Sequence, residues 1–172
     1  MTSLTQPLRD EHAEILPRIE QLREVADRIG ELSAAGLTEA VDEAHDFLAG
    51  HLIAHAEAEE AALYPMVGEV CGAPEVTATM SREHQKIGEL VNELGQARSR
   101  LDHAGPDAEL ERDLRRLLYG LHAVIGVHFL KEEEVFLPLL DARLSRQRAD
   151  EMFEALHAAA RETLDEASGG HP

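Results

Sequence analysis

This sequence has few aromatics, few positive charges and almost no cysteine. Aromatic residues make up 3% of 172 residues and tryptophan is absent, so Ala and Leu carry most of the apolar content. Both residues favour helix. Lys and Arg number 16 against 34 Asp and Glu, a formal net charge of −18. Such a surface repels phosphate backbones and anionic lipid, which argues against nucleic-acid and membrane partners. The one cysteine, Cys71, has no second thiol to pair with, so no internal disulfide forms and a reducing compartment is expected. The opening stretch MTSLTQPLRDEH carries no apolar run of the kind a secretory leader needs. No apolar run approaches the length of a membrane span. The chain is therefore expected in the cytoplasm. What remains is 44% hydrophobic, enough for a sizeable core in a single domain over residues 1–172.

The sequence repeats itself. His55 and Glu59 lie four residues apart, and so do His128 and Glu132. The first pair leads into HAEAEEAALYP and the second into HFLKEEEVFLP, with a constant offset (128 − 55 = 73). Upstream of each pair stands a lone histidine, in RDEHAEI around His12 and SREHQKI around His84 (84 − 12 = 72). Imidazole and carboxylate one helical turn apart project from one face, roughly 6 Å apart along the axis. That spacing presents two ligands to one metal, and two copies suggest two metals.

Periodicity predicts helices throughout. The first runs from Gln6 to about Ala34, ended by the Ala35-Gly36 step. A second, with Thr38 as its N-cap, runs from Glu39 to Val67. Gly68 to Pro74 reads as a linker. A third runs from Pro74 to Leu101, and Asp102 to Asp107 is a turn. A fourth ends near Asp141, with Pro106 suited to its start. A fifth amphipathic segment spans Ser145 to Ala167 and is expected to cap the bundle, with dimerisation the alternative. Short connections imply antiparallel neighbours. The expected fold is all-α: an up-down-up-down four-helix bundle, core about 6–141, with an additional C-terminal helix. Each half is then a helical hairpin, and folding the two face to face converges His12, His55, Glu59, His84, His128 and Glu132.

An unpaired buried carboxylate costs several kcal/mol. Two inward Glu among four inward His make physical sense around cations. Imidazole with carboxylate suits iron, manganese or zinc rather than calcium or magnesium. A Glu can bridge two ions roughly 3.5–4 Å apart.

The doubled H…HxxxE pattern, with its closing EEAALYP and EEVFLP phrases, resembles the hemerythrin-like (HHE cation-binding) domain of bacterial type over about Leu8 to Asp141. The resemblance implies two non-haem iron ions with an oxo or hydroxo bridge in a four-helix bundle. His12, His55, His84 and His128 would be terminal ligands, with Glu59 and Glu132 bridging. It implies binding or sensing of dioxygen, peroxide or nitric oxide. A catalase-like peroxide-consuming enzyme and an iron storage or delivery protein are the alternatives. A sensing role would call for a separate protein partner. Oxygen carriers of the family place HxxxH on the third helix and HxxxxD on the fourth. Here Gly88 follows His84 by four, and the fourth helix carries HxxxE, which argues against reversible oxygen transport.

Other polar residues have milder expectations. His51, one turn before His55, is a candidate fifth ligand or hydrogen-bond donor. His122 and Tyr119 suit packing or hydrogen bonding. Glu60, Glu133 and Glu134 read as surface carboxylates. Glu11 and Glu83 also read as surface, with the option of orienting a neighbouring imidazole. Gly88 and Gly126 suggest close helix packing, or room near the metals. His45, His103, His157 and His171 read as surface or loop, and Cys71 as an inert thiol.

Overall fold

The computed structural model describes residues 3–169, so the expectation for His171 falls outside it. Among the described residues there are five long helices and no strand. α1 is Gln6–Arg28. α2 runs unbroken over 34–71, and α3 is Ala78–Ala104 after a short 3₁₀ turn. α4 covers 108–143, and α5 is Arg146–Gly169.

Each of the first four helices packs on the next, and α4 packs back on α1, closing a four-helix ring. α1 and α4 run antiparallel: His12 meets Glu133 near one end, and Arg115 donates to the Ile29 carbonyl near the other. α5 lies outside the ring against α2, so it covers the bundle as expected.

Several boundaries move, each for a local reason. Gly30, at φ 91, turns the chain out of α1 well before Ala34. Ser33, not Thr38, caps α2, its hydroxyl accepting from the Gly36 amide. The Ala35-Gly36 step therefore lies inside the first turn of α2. The linker is shorter than expected, because α2 continues to Cys71 and stops at Gly72 in the left-handed region. Asp107 caps α4 through the amides of Glu109 and Leu110.

Two π turns matter most. They span Glu59–Leu63 and Glu132–Phe136, matching positions in the two halves. Pro65 and Pro138 each follow one closely. A proline lacks the N–H and crowds the carbonyl one turn back, a defect easier to absorb where the ladder is already widened. The repeated closing phrase is thus the sequence trace of a repeated π turn. A third, Leu48–Leu52, has no counterpart among the described residues of α4.

The buried apolar residues fall into two clusters. The larger contains Ile15, Leu52, Ile87 and Phe129; the smaller contains Leu8, Leu63, Met80 and Phe136, and α5 adds Met152 and Leu156 to it. Every helix of the ring passes from one cluster to the other. At or next to each crossing it carries one of the repeated histidines.

Candidate metal centre

The histidines and glutamates of the repeat form this polar layer. His12, His55, Glu59, His128 and Glu132 are buried, and His84 is nearly so. Among the described residues, two groups bring three ligand atoms within 4.8 Å of one another: His12, His55 and Glu59, and Glu59, His84 and His128. Glu59 belongs to both. Its Oε1 lies 3.1 Å from His55 Nε2 and its Oε2 3.4 Å from His84 Nε2. Glu132 spans the same gap, with Oε2 3.6 Å from His12 Nε2 and Oε1 3.4 Å from His128 Nε2. All six residues singled out by the repeat are therefore brought together.

Each imidazole is held from behind by a carboxylate at Nδ1. Glu133 lies 2.7 Å from His12, Glu11 3.0 Å from His55, Glu60 2.8 Å from His84 and Glu83 3.0 Å from His128. A carboxylate at Nδ1 fixes the proton there and aims the Nε2 lone pair inward, as a metal ligand requires. Glu60 and Glu133 are thus not idle surface groups. Glu11 and Glu83 do orient imidazoles, but those of His55 and His128 across the bundle rather than their sequence neighbours.

The electrostatics couple the two residue types. Burial works against charging His55, but the Glu59 charge and the Glu11 and Glu59 contacts hold the imidazole well above its ordinary value. Burial likewise opposes His128, yet Glu132 and Glu59 push it up to about 10. Burial raises the Glu59 carboxyl, but the His55 charge and the His12 and His128 contacts hold it well below the usual range. Without a cation, the carboxylates of this layer hold His12, His55 and His128 toward the charged form.

Five buried atoms face its centre without a hydrogen-bond partner: His12 Nε2, His55 Nε2, both oxygens of Glu59 and Glu132 Oε2. Buried polar atoms are nearly always paired, so a cluster of five points to a missing partner. All five are lone-pair donors once the imidazoles are neutral. The residues present fit a pair of bound cations.

One residue of the centre occurs in only one half of the repeat. Tyr64 donates from Oη to Glu132 Oε1 at 2.9 Å and lies 3.3 and 3.2 Å from Nε2 of His84 and His128. Burial, with the nearby charges of Glu59 and Glu132, raises its pKa far enough that the phenol stays protonated. On the opposite side Phe129 stacks on His12, ring centroids 4.5 Å apart.

The other candidates lie elsewhere. His51 is exposed, stacks against Phe47 and belongs to neither ligand group. His122 contacts Glu20 and Tyr119 bonds Asp27, both outside the centre. His45 is half-buried rather than superficial. It contacts Arg98, and its ring sits where a Cβ on Gly95 would meet Nε2 at 2.8 Å. Nothing lies within 4 Å of a Cβ built on Gly88 or Gly126, so close helix packing explains neither. Cys71 is exposed.

The fold and site define a helical bundle built around an internal cation-binding layer. The hemerythrin HHE cation-binding domain matches residues 3–140, and the chain belongs to that family. Among curated proteins and solved structures, none matches. α5 lies beyond the matched region. No described helix is long and apolar enough to cross a membrane.

Proposed function

We propose that the protein holds two non-haem iron ions and binds or senses dioxygen, peroxide or nitric oxide. The five unpartnered buried atoms carry this reading. His12 and His55 would hold one ion, His84 and His128 the other, with Glu59 and Glu132 shared. Manganese or zinc would suit the same donors. Bound there, iron supplies redox electrons and open coordination positions for a small ligand. The chain itself holds the imidazoles in their ligating tautomer through the four carboxylates, and it excludes bulk water by the two apolar clusters. It keeps a proton on Tyr64 Oη beside His84 and His128.

The Tyr64 hydroxyl favours a second reading, consumption of peroxide, because a donor fixed beside His84 and His128 could hydrogen-bond to a peroxide oxygen held there. A cytoplasmic setting and a separate protein partner belong to the sensing form of the proposal.

The test is elemental analysis and optical spectroscopy on one aerobic sample, followed by peroxide, oxygen and nitric oxide assays. About two irons per chain are expected, with ligand binding and no sustained turnover. Sustained peroxide turnover without iron loss would select the enzyme. Iron released readily to a weak chelator would select storage or delivery. Protein that takes up no transition metal, even anaerobically, would sink the proposal.

A further inference from the structure

The two halves of the repeat differ on their outer sides. Beside His84 lies a cleft of about 330 Å³, lined by Glu57, Glu60, Ser81 and Gly88 as well as His84 itself. The His84 side chain is 9% exposed and its inner nitrogen lies 3.4 Å from Glu59 Oε2. The cleft therefore reaches the centre through the thickness of one imidazole ring.

The repeat shows what the matching surface beside His12 holds instead. Arg9 replaces Ser81, Leu16 replaces Gly88 and Leu130 replaces Glu57. Arg9 pairs with Glu133, cancelling the charge behind His12. Ser81 only donates a hydrogen bond to Glu60, so that charge stands. Glu57 adds another, with Thr163 of α5 donating to it at 2.6 Å. Phe129, which stacks on His12, takes the place of Ala56, and His12 is 1% exposed. One side is open and acidic, the other sealed and charge-balanced.

We infer that the His84 cleft is the port through which divalent metal ions enter and leave the centre. Glu57 and Glu60 draw the cation in, and Gly88 leaves it room. Glu60 lies directly behind the imidazole that receives it. The field of the acidic chain adds to the attraction. This inference rests on the metal-binding reading above, and α5 contributes to it by steadying Glu57.

The test is the rate of Co(II) uptake by the metal-free full chain, followed by absorption in a stopped-flow instrument. The variants exchange residues between the halves. Gly88→Leu and Ser81→Arg should each slow uptake at least about tenfold while final stoichiometry is unchanged, and the wild-type rate should fall with added salt. Leu16→Gly, on the sealed side, should leave the rate as it was. Circular dichroism checks the fold of each variant. Equal rates in wild type, Gly88→Leu and Ser81→Arg would overturn the port. So would slowing confined to Ala160→Phe, which fills the separate cavity of about 130 Å³ between α5 and His55. Final stoichiometry separates the two failures. A wild type that never binds Co(II) refutes the centre itself, whereas full binding at unaltered rates refutes only the port.

Discussion

The first hairpin, α1 and α2, and the second, α3 and α4, supply the same ligands but surround them differently. Each gives a lone histidine, a histidine–glutamate pair one turn apart and two supporting carboxylates. The differences lie one layer out. The first hairpin contributes Tyr64, and the matching residue of the second is Leu137. The second contributes Phe129 and Lys131, where the first has Ala56 and Ala58. Lys131 bonds Glu83 and so offsets the charge behind His128; Glu11, behind His55, meets no cation among its hydrogen bonds. Nearly symmetric ligands thus sit in unequal surroundings, which would give two bound ions different electronics and access.

The largest test of this inequality is removal of the shared carboxylates. Glu59→Ala deletes the one residue common to both ligand groups. Elemental analysis should find both metals lost. The metal-free protein should lose about 3–5 kcal/mol in chemical denaturation, as for breaking a buried ion pair. Glu132→Ala should keep part of the metal, since neither close group includes it. Equal retention in both variants would remove Glu59 from its special place.

Protons offer the next test. In the metal-free protein His128 titrates near 10, above the ordinary value of 6.5. A raised folded-state value means the stabilisation is complete below about 6.5 and is lost as pH rises through about 10. Denaturation midpoints should fall across that window, and His128→Leu should flatten the fall. Metal uptake should release protons near neutral pH, readable with an indicator dye in weak buffer. Uptake without proton release would show that the imidazoles were neutral beforehand.

The supporting carboxylates sharpen the comparison. Glu11→Gln should weaken metal binding about 10–100-fold in competition titrations. Glu83→Gln should cost less, because Lys131 already offsets that charge. The reverse order would make Lys131 irrelevant to the His128 side. The smallest effect belongs to the phenol. Tyr64→Phe should destabilise the metal-free protein by about 1–3 kcal/mol, because it leaves a buried carboxylate oxygen of Glu132 without its donor. With metal bound it should alter spectral features of the His84–His128 side more than those of the His12–His55 side. An equal change on both sides, or none on either, would detach Tyr64 from that position.

The six convergent residues were legible because each pair keeps α-helical spacing and the repeat doubles the signal. Tyr64 was not, for a geometric reason. It lies nine residues after His55, and at about 100° per residue that is the opposite face of a regular helix. The π turn at Glu59–Leu63 carries it back to the centre. The four supporting carboxylates were visible as residues but not as partners, because every one of them acts across the bundle on another helix. The helix boundaries missed near Gly30 and Ser33 turned on one φ angle and one hydroxyl. The difference between the His84 and His12 surfaces was written in the repeat, in Ser81 against Arg9 and Gly88 against Leu16. It gains meaning only once the exposure of the two rings is known.

The π turns also make residue count a functional variable. Each holds one residue more than the α turn it replaces, so the stretch beyond it is indexed by that extra residue. Losing a single codon at Ala61 would restore the regular ladder and rotate Tyr64–Cys71 by roughly 100°. The phenol would swing away while His55, upstream, stayed in place. In this protein a deletion that removes no ligand still displaces the one phenol that touches His84, His128 and Glu132 together.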